Sequence, residues 1–176
     1  EAIGVDVDGR RAALDALALG LAESPRFHVV RTFTSSDEVD STVFDSKLPW
    51  STAEQLCETF GCQGIIALEG FDSNSSFNTD KRRETYEDDE GNERTRTIYT
   101  AERYTTVVAG WRLYDVEGRQ VIDDIHDHAE SDSWSGEARS PHDAEQQLPS
   151  QYQTVGEMAQ ASGRWYARRI APSWLL

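Results

Sequence analysis

The chain has 176 residues, enough for one domain with a real core. Its formal net charge of −15 argues against a nucleic-acid or anionic-membrane surface, because phosphate binding needs a basic face. No stretch approaches about 18 consecutive apolar residues, the length that would mark a membrane-spanning helix.

In chain order, Gly9 to Ser24 reads as a helix. Leu14, Leu17 and Leu21 recur at helical spacing, with Ala13 and Ala18 beside them. Asp8 is the predicted N-cap and Pro25 follows the end. The preceding "AIGVDV" reads as the remnant of an opening strand. Phe27 to Phe33 is β-branched and aromatic, and predicts a strand. Residues 34–49 are polar and irregular. "STAEQLCETFG" predicts a second helix, with Ser51 and Glu54 as a capping box, Leu56, Cys57 and Phe60 as its apolar face, and Gly61 past its end.

Gly64 to Phe71 predicts a strand. Its apolar run Ile65-Ile66-Ala67-Leu68 suggests burial on both faces, as in an interior sheet member. A polar loop should then carry Asp72. Two acidic glycine turns, "EDDEGNE" and "DVEGRQ", predict three long antiparallel strands at about residues 79–86, 94–116 and 119–132. A last helix covers about 142–170, with Pro149 breaking it or marking its effective start. Val155, Met158, Ala159, Ser162 and Tyr166 line one of its faces. The fold class is α/β (α+β). A mixed, mainly antiparallel sheet with a long central β-hairpin packs against two or three helices, in a single domain over residues 1–176.

The composition carries environmental information. Of the 17 basic residues only Lys47 and Lys81 are lysine. Many acids, little lysine and abundant small residues fit a high-salt cytology, where ions screen the self-repulsion of an acidic surface. Cys57 and Cys62 read as two small buried apolar side chains. A local disulfide, or a redox or metal role, is the alternative.

Several residues invite a chemical reading. Glu69 and Asp72 sit where an apolar strand surfaces, as carboxylates do at the strand tips of α/β enzymes. An acid/base pair needs two environments that separate its pKa values. The plainer reading is a structural ion pair, with Arg112 as the candidate partner of Glu69. In "DDIHDHAESD" strand alternation would place Asp124, His126 and His128 on one face, a facial zinc or iron set. The plainer reading there is a solvated acidic face near a sheet edge. Trp111 and Tyr114 lie on one long strand an odd step apart, so one would pack on helices and the other face outward as a binding surface. No G-x-S-x-G elbow and no glycine-rich loop with a lysine is present.

Four blocks, "GVDVDGRRAALDALALGLAESPRFHVV", "AEQLCETFGCQGIIALEGFDS", "VVAGWRLYDVEGRQVIDD" and "GRWYARRIAPSW", resemble an uncharacterised Bacteroidota family of cell-envelope lipoproteins, a domain of unknown function. The resemblance implies an α/β module on the periplasmic side. A lipid anchor would precede it, and tetratricopeptide-like helices often follow. The chain starts at Glu1 without Met and reads as a piece of a longer lipoprotein. The expected function is a non-catalytic module that binds other envelope proteins, without a cofactor, and touches the membrane only through that anchor. The alternatives are a metal-binding or hydrolytic enzyme using Asp124, His126 and His128, and a small-molecule or glycan binder.

Overall fold

The computed structural model describes residues 2–31 and 47–171. The elements are α1 (Ala2–Ala22), α2 (Trp50–Phe60), β1 (Gly64–Glu87), β2 (Glu93–Asp115), β3 (Gln120–Ala138), α3 (Pro141–Gln146) and α4 (Gln151–Ile170). The strands form an antiparallel meander in the order β1-β2-β3. The architecture is α+β: a sheet of long strands with helices against it.

The first helix begins well before its predicted start. "AIGVDV" is helical and Asp8 is no N-cap. Gly9, read as the first helical residue, lies inside α1, where a Cβ would meet the Phe71 ring at 2.6 Å. The glycine marks a close crossing between helix and sheet. Phe27 to Arg31 forms no strand. Phe27 packs on the core instead, and Arg31 Nη1 donates to Asp15 Oδ1 of α1 at 2.7 Å. The β-propensity of Val29 and Val30 finds no strand to pair with there. Thr32, Phe33 and the irregular stretch up to residue 46 lie outside the described residues.

The second helix starts at Trp50 with Pro49 before it, and no side chain caps it. The Ser51/Glu54 capping box is absent. Glu54 instead accepts a hydrogen bond from Arg119 Nε at 2.6 Å, and Trp50 meets the Tyr114 ring edge-on at 5.6 Å. Tertiary contacts set this terminus. At the other end Gly61 takes a left-handed conformation, φ 65° and ψ 40°, as its position predicts. Ala53 and Cys57 are buried, whereas Phe60 is exposed. Cys57 and Cys62 form a disulfide across the helix end, so they are not free apolar side chains.

β1 departs most from expectation. It runs unbroken from Gly64 to Glu87, absorbing both the predicted strand at residues 79–86 and the predicted loop at Asp72. It is also an edge strand, not an interior one. Its apolar run is covered on both sides by helices, not flanked on both sides by strands. Ile66 and Leu68 join the core under α1 and α4; Ile65 and Ala67 join the smaller cluster under α2. A strand with helices on both faces has the same hydrophobic pattern as a central one.

The main core joins Phe71, Val107, Ala109 and Trp111 of the sheet to Leu17, Val155, Met158 and Tyr166. The Trp111 ring stacks on Tyr166 at a centroid distance of 5.1 Å, and its indole N–H donates to Ser162 Oγ at 3.1 Å. Such an aromatic pair adds about 0.5–1.5 kcal/mol beyond its buried area. Buried Thr105 donates to Thr154 Oγ1 at 2.9 Å, tying β2 to α4. α3 and α4 are separate helices with Pro149 between them. α4 opens with a true capping box: Ser150 Oγ accepts the Gln153 N–H, and the Gln153 side chain accepts the Ser150 N–H. Arg168 and Arg169 in its last turn suit the negative end of the helix dipole.

Candidate functional site

The sheet's pairing shifts register three times, all near the end under α2. Leu68 faces Trp111 and Gly70 faces Gly110, so Glu69 is an extra residue on β1. On β3 one extra residue falls at Ile122, and another between Ile125 and His128. Bulges re-aim side chains, and these three decide what the candidate residues meet.

The bulge at Glu69 sends its carboxylate toward the α2 side of the sheet. Oε2 accepts from Arg112 Nη1. Oε1 accepts from the Tyr114 hydroxyl and from the Leu48 N–H at 3.1 Å. Leu48 N also lies 2.9 Å from the Tyr114 oxygen. Arg112 Nη2 is 3.1 Å from Asp124 Oδ1. Counted out from the Tyr114–Val121 pair without a bulge, Arg112 would face Asp123; extra Ile122 makes it face Asp124. The Arg112 side chain is 2% exposed and that of Glu69 10%.

The electrostatics follow from this wiring. Burial works against the Arg112 charge. Hydrogen bonds to Tyr114 and Asp124 and the Glu69 charge overcome it, holding the guanidinium above its ordinary value. Burial and the bond to Glu69 push the Tyr114 phenol up. Three protein donors thus hold the Glu69 carboxylate in place, one on Oε2 and two on Oε1. The sequence-predicted partner of Glu69, Arg112, is in place. Asp72 is exposed opposite Val108 and takes no part in this network.

Trp111 and Tyr114 do lie on opposite faces, and each is 1% exposed. Helices cover both faces at this end, so neither ring is offered to solvent, and the outward-facing aromatic surface fails for this pair. The Asp124/His126/His128 set is likewise split. The bulge between Ile125 and His128 breaks strict alternation. His126 Nε2 stays near Asp124 Oδ1, at 3.4 Å. His128 emerges on the opposite face, stacked on Trp165 at 3.6 Å and 2.8 Å from Glu130 Oε1. Among the described residues no group of three or more His, Cys, Asp or Glu is placed to hold a metal ion.

A groove of about 1140 Å³ lies elsewhere, between α1 and α4, lined by Ala16, Leu19, Gly20, Arg164 and Ala167 among others. None of the Glu69 network lines it. Sequence reasoning missed the Arg112–Asp124 contact and the His128–Trp165 stack, because both depend on bulges that carry no residue signature here. Beyond α2 the second sheet face lies open, with Tyr104 51% exposed between Ser76 on β1 and Ser133 on β3.

A family model described as "Domain of unknown function (DUF8603)" matches residues 1–175. No curated protein sequence matches the chain, and no solved structure does.

Proposed function

The chain belongs to the DUF8603 family, and on that premise we propose that it is a non-catalytic protein-interaction module of the cell envelope. In the full-length protein a lipid anchor would hold it on the periplasmic side. The observation that carries this reading is the structural use of Glu69. The carboxylate best placed for chemistry is ion-paired with Arg112 and also accepts hydrogen bonds from the Tyr114 hydroxyl and the Leu48 N–H. The same molecule extends a long sheet whose distal half is open on one face, with Tyr104 exposed at its middle. Exposed aromatic residues are favoured at protein interfaces.

The location rests on two supports. The Cys57–Cys62 disulfide suits an oxidising compartment. The blocks that resemble envelope lipoproteins are spread along the chain from Gly4 to Trp174. The acidic, lysine-poor composition fits a salt-loving host.

A photo-crosslinking residue in place of Tyr104, expressed in the native host, tests the binding role. A discrete protein adduct at Tyr104, with none from the same residue at Leu19, is expected. Equal yields at both positions, or none at either, would remove the role. Thiol labelling in intact cells tests the location: Cys57 and Cys62 should resist alkylation until reduced, and immediate labelling of both would place the chain in a reducing compartment.

A further inference from the structure

We propose that the outer edge of β1 pairs antiparallel with β1 of a second copy of this chain, centred on Phe77, to build one six-stranded sheet. The inference goes beyond the interaction-module reading: it adds a second copy of the chain at a surface separate from the Tyr104 face.

An edge strand leaves every second N–H and C=O directed away from its sheet, and natural edges are blunted by charge, proline or bulges. The two edges here are treated differently. β3 carries Asp127, Glu130, Asp132 and Glu137 along its length. Pairing two copies of β3 about Glu130, Ser131 or Asp132 would set acid against acid, and towards its far end the Glu137 N–H and C=O are already taken by the Gln147 side chain. β1 has its only bulge at Glu69 and then an unbroken register from Gly70 to Glu87. From Ser73 to Thr79 it holds neither a charge nor a proline. Asp6 of α1 reaches Ser73 Oγ at 2.5 Å through the side chain, leaving the strand's backbone edge free of that contact. Among the described residues no strand pairs with this edge.

The sequence of β1 also selects a register. Two identical strands pair antiparallel about a two-fold axis perpendicular to the sheet. Residues that meet directly then share a face, so the axis passes through one residue. With the axis at Phe77, Asp72 of each copy meets Arg82 of the other, giving two opposite-charge pairs. Asn74 meets Asp80, Ser75 meets Thr79, Ser76 meets Asn78, and the two Phe77 rings meet each other. Moving the axis to Ser76 sets Asp72 against Asp80; moving it to Asn78 sets Asp72 against Glu84. Like charges directly opposed are destabilising. Phe77 is 42% exposed in the single chain, and the pairing covers it. The symmetry places α1 and α4 of both copies on one side and leaves both Tyr104 faces open on the other.

Sedimentation of the full chain over a concentration series tests the proposal. A reversible dimer is expected. Asp72→Arg or Arg82→Asp alone should each raise its dissociation constant by about tenfold or more, since two attractive pairs become repulsive. The double reversal should restore it. The internal Arg82–Glu137 pair is exposed, so its loss should leave the fold intact, checked by circular dichroism. Independently, Phe77→Cys should cross-link to its own copy on oxidation while Ser131→Cys on β3 should not. A monomer at every concentration, single reversals without effect, or a double reversal no better than the singles would overturn the pairing. Its failure is separable from that of the module reading. A monomer that still gives the Tyr104 adduct removes only the dimer; a dimer of this register without that adduct removes only the outside partner.

Discussion

Replacing Arg112 with methionine keeps an unbranched stem in place and deletes the charge. Its partner Glu69 is left 10% exposed, with the Tyr114 hydroxyl and the Leu48 N–H as remaining donors. Removing one member of a buried ion pair costs about 3–5 kcal/mol, mostly because the other charge stays buried and uncompensated. Two donors persist here, so the lower end, about 3 kcal/mol, is expected. For a chain of 176 residues, each kcal/mol moves Tm by about 2–4 °C, which makes the loss roughly 6–12 °C. Glu69→Gln in the same background keeps an acceptor for Tyr114 and Leu48 while removing the stranded charge. The double variant should therefore be more stable than Arg112→Met alone. Urea unfolding followed by tryptophan fluorescence reads both, with Trp50 stacked edge-on against Tyr114 as a local reporter. Arg112→Met within about 0.5 kcal/mol of the parent, the range of ordinary surface changes, would refute the network's structural role. So would a double variant no better than the single one.

Three further outcomes follow from named contacts. Hydrogen bonds from Arg169 lower the Asp123 pKa below its ordinary 3.8. Its stabilisation is thus fully present above pH 3.8 and lost as pH falls through the lower folded value. Arg169→Ala should flatten that acid limb in pH-dependent urea unfolding, and an unchanged limb would contradict the assignment. Gly163→Ala would push a Cβ onto the Ala13 carbonyl oxygen where α1 and α4 touch, costing about 1–3 kcal/mol. Gly156→Ala meets nothing within 4 Å and should be neutral or gain up to about 1 kcal/mol; thermal melts giving equal effects would reject this packing. Lowering NaCl from about 1 M to 0.1 M lengthens the Debye length from roughly 3 to 10 Å. With a net charge of −15 Tm should fall, and a salt-independent Tm would reject the high-salt reading.

Much of the framework was legible in the sequence because it obeys local rules. The hairpin tips at Gly91 and Gly118, the αL residue Gly61 and the apolar face of α4 all announce themselves by residue type and period. The errors share one cause, that the deciding contact was non-local. Gly9 looked like a helix start because nothing in its neighbourhood shows that the Phe71 ring crosses there. The run Ile65–Leu68 looked interior because helices on both sheet faces give an edge strand the same apolar pattern, though all four residues are only partly buried. Asp124, His126 and His128 looked like a ligand set because period-two counting holds only without a bulge. The Glu69–Arg112 pair was accessible because a buried acid demands a nearby base, and β2 offers one. That Tyr114 and Leu48 complete it depends on a bulge and on how the chain enters α2.

Hydrogen exchange on the β1 amides tests most directly whether the outer edge of this strand pairs with a second copy of the chain. Alternate amides between Ser73 and Thr79 should become more protected as the chain is concentrated, while amides on the outer edge of β3 exchange at a constant rate. Equal, concentration-independent exchange along both edges would show that β1 is only a solvated rim.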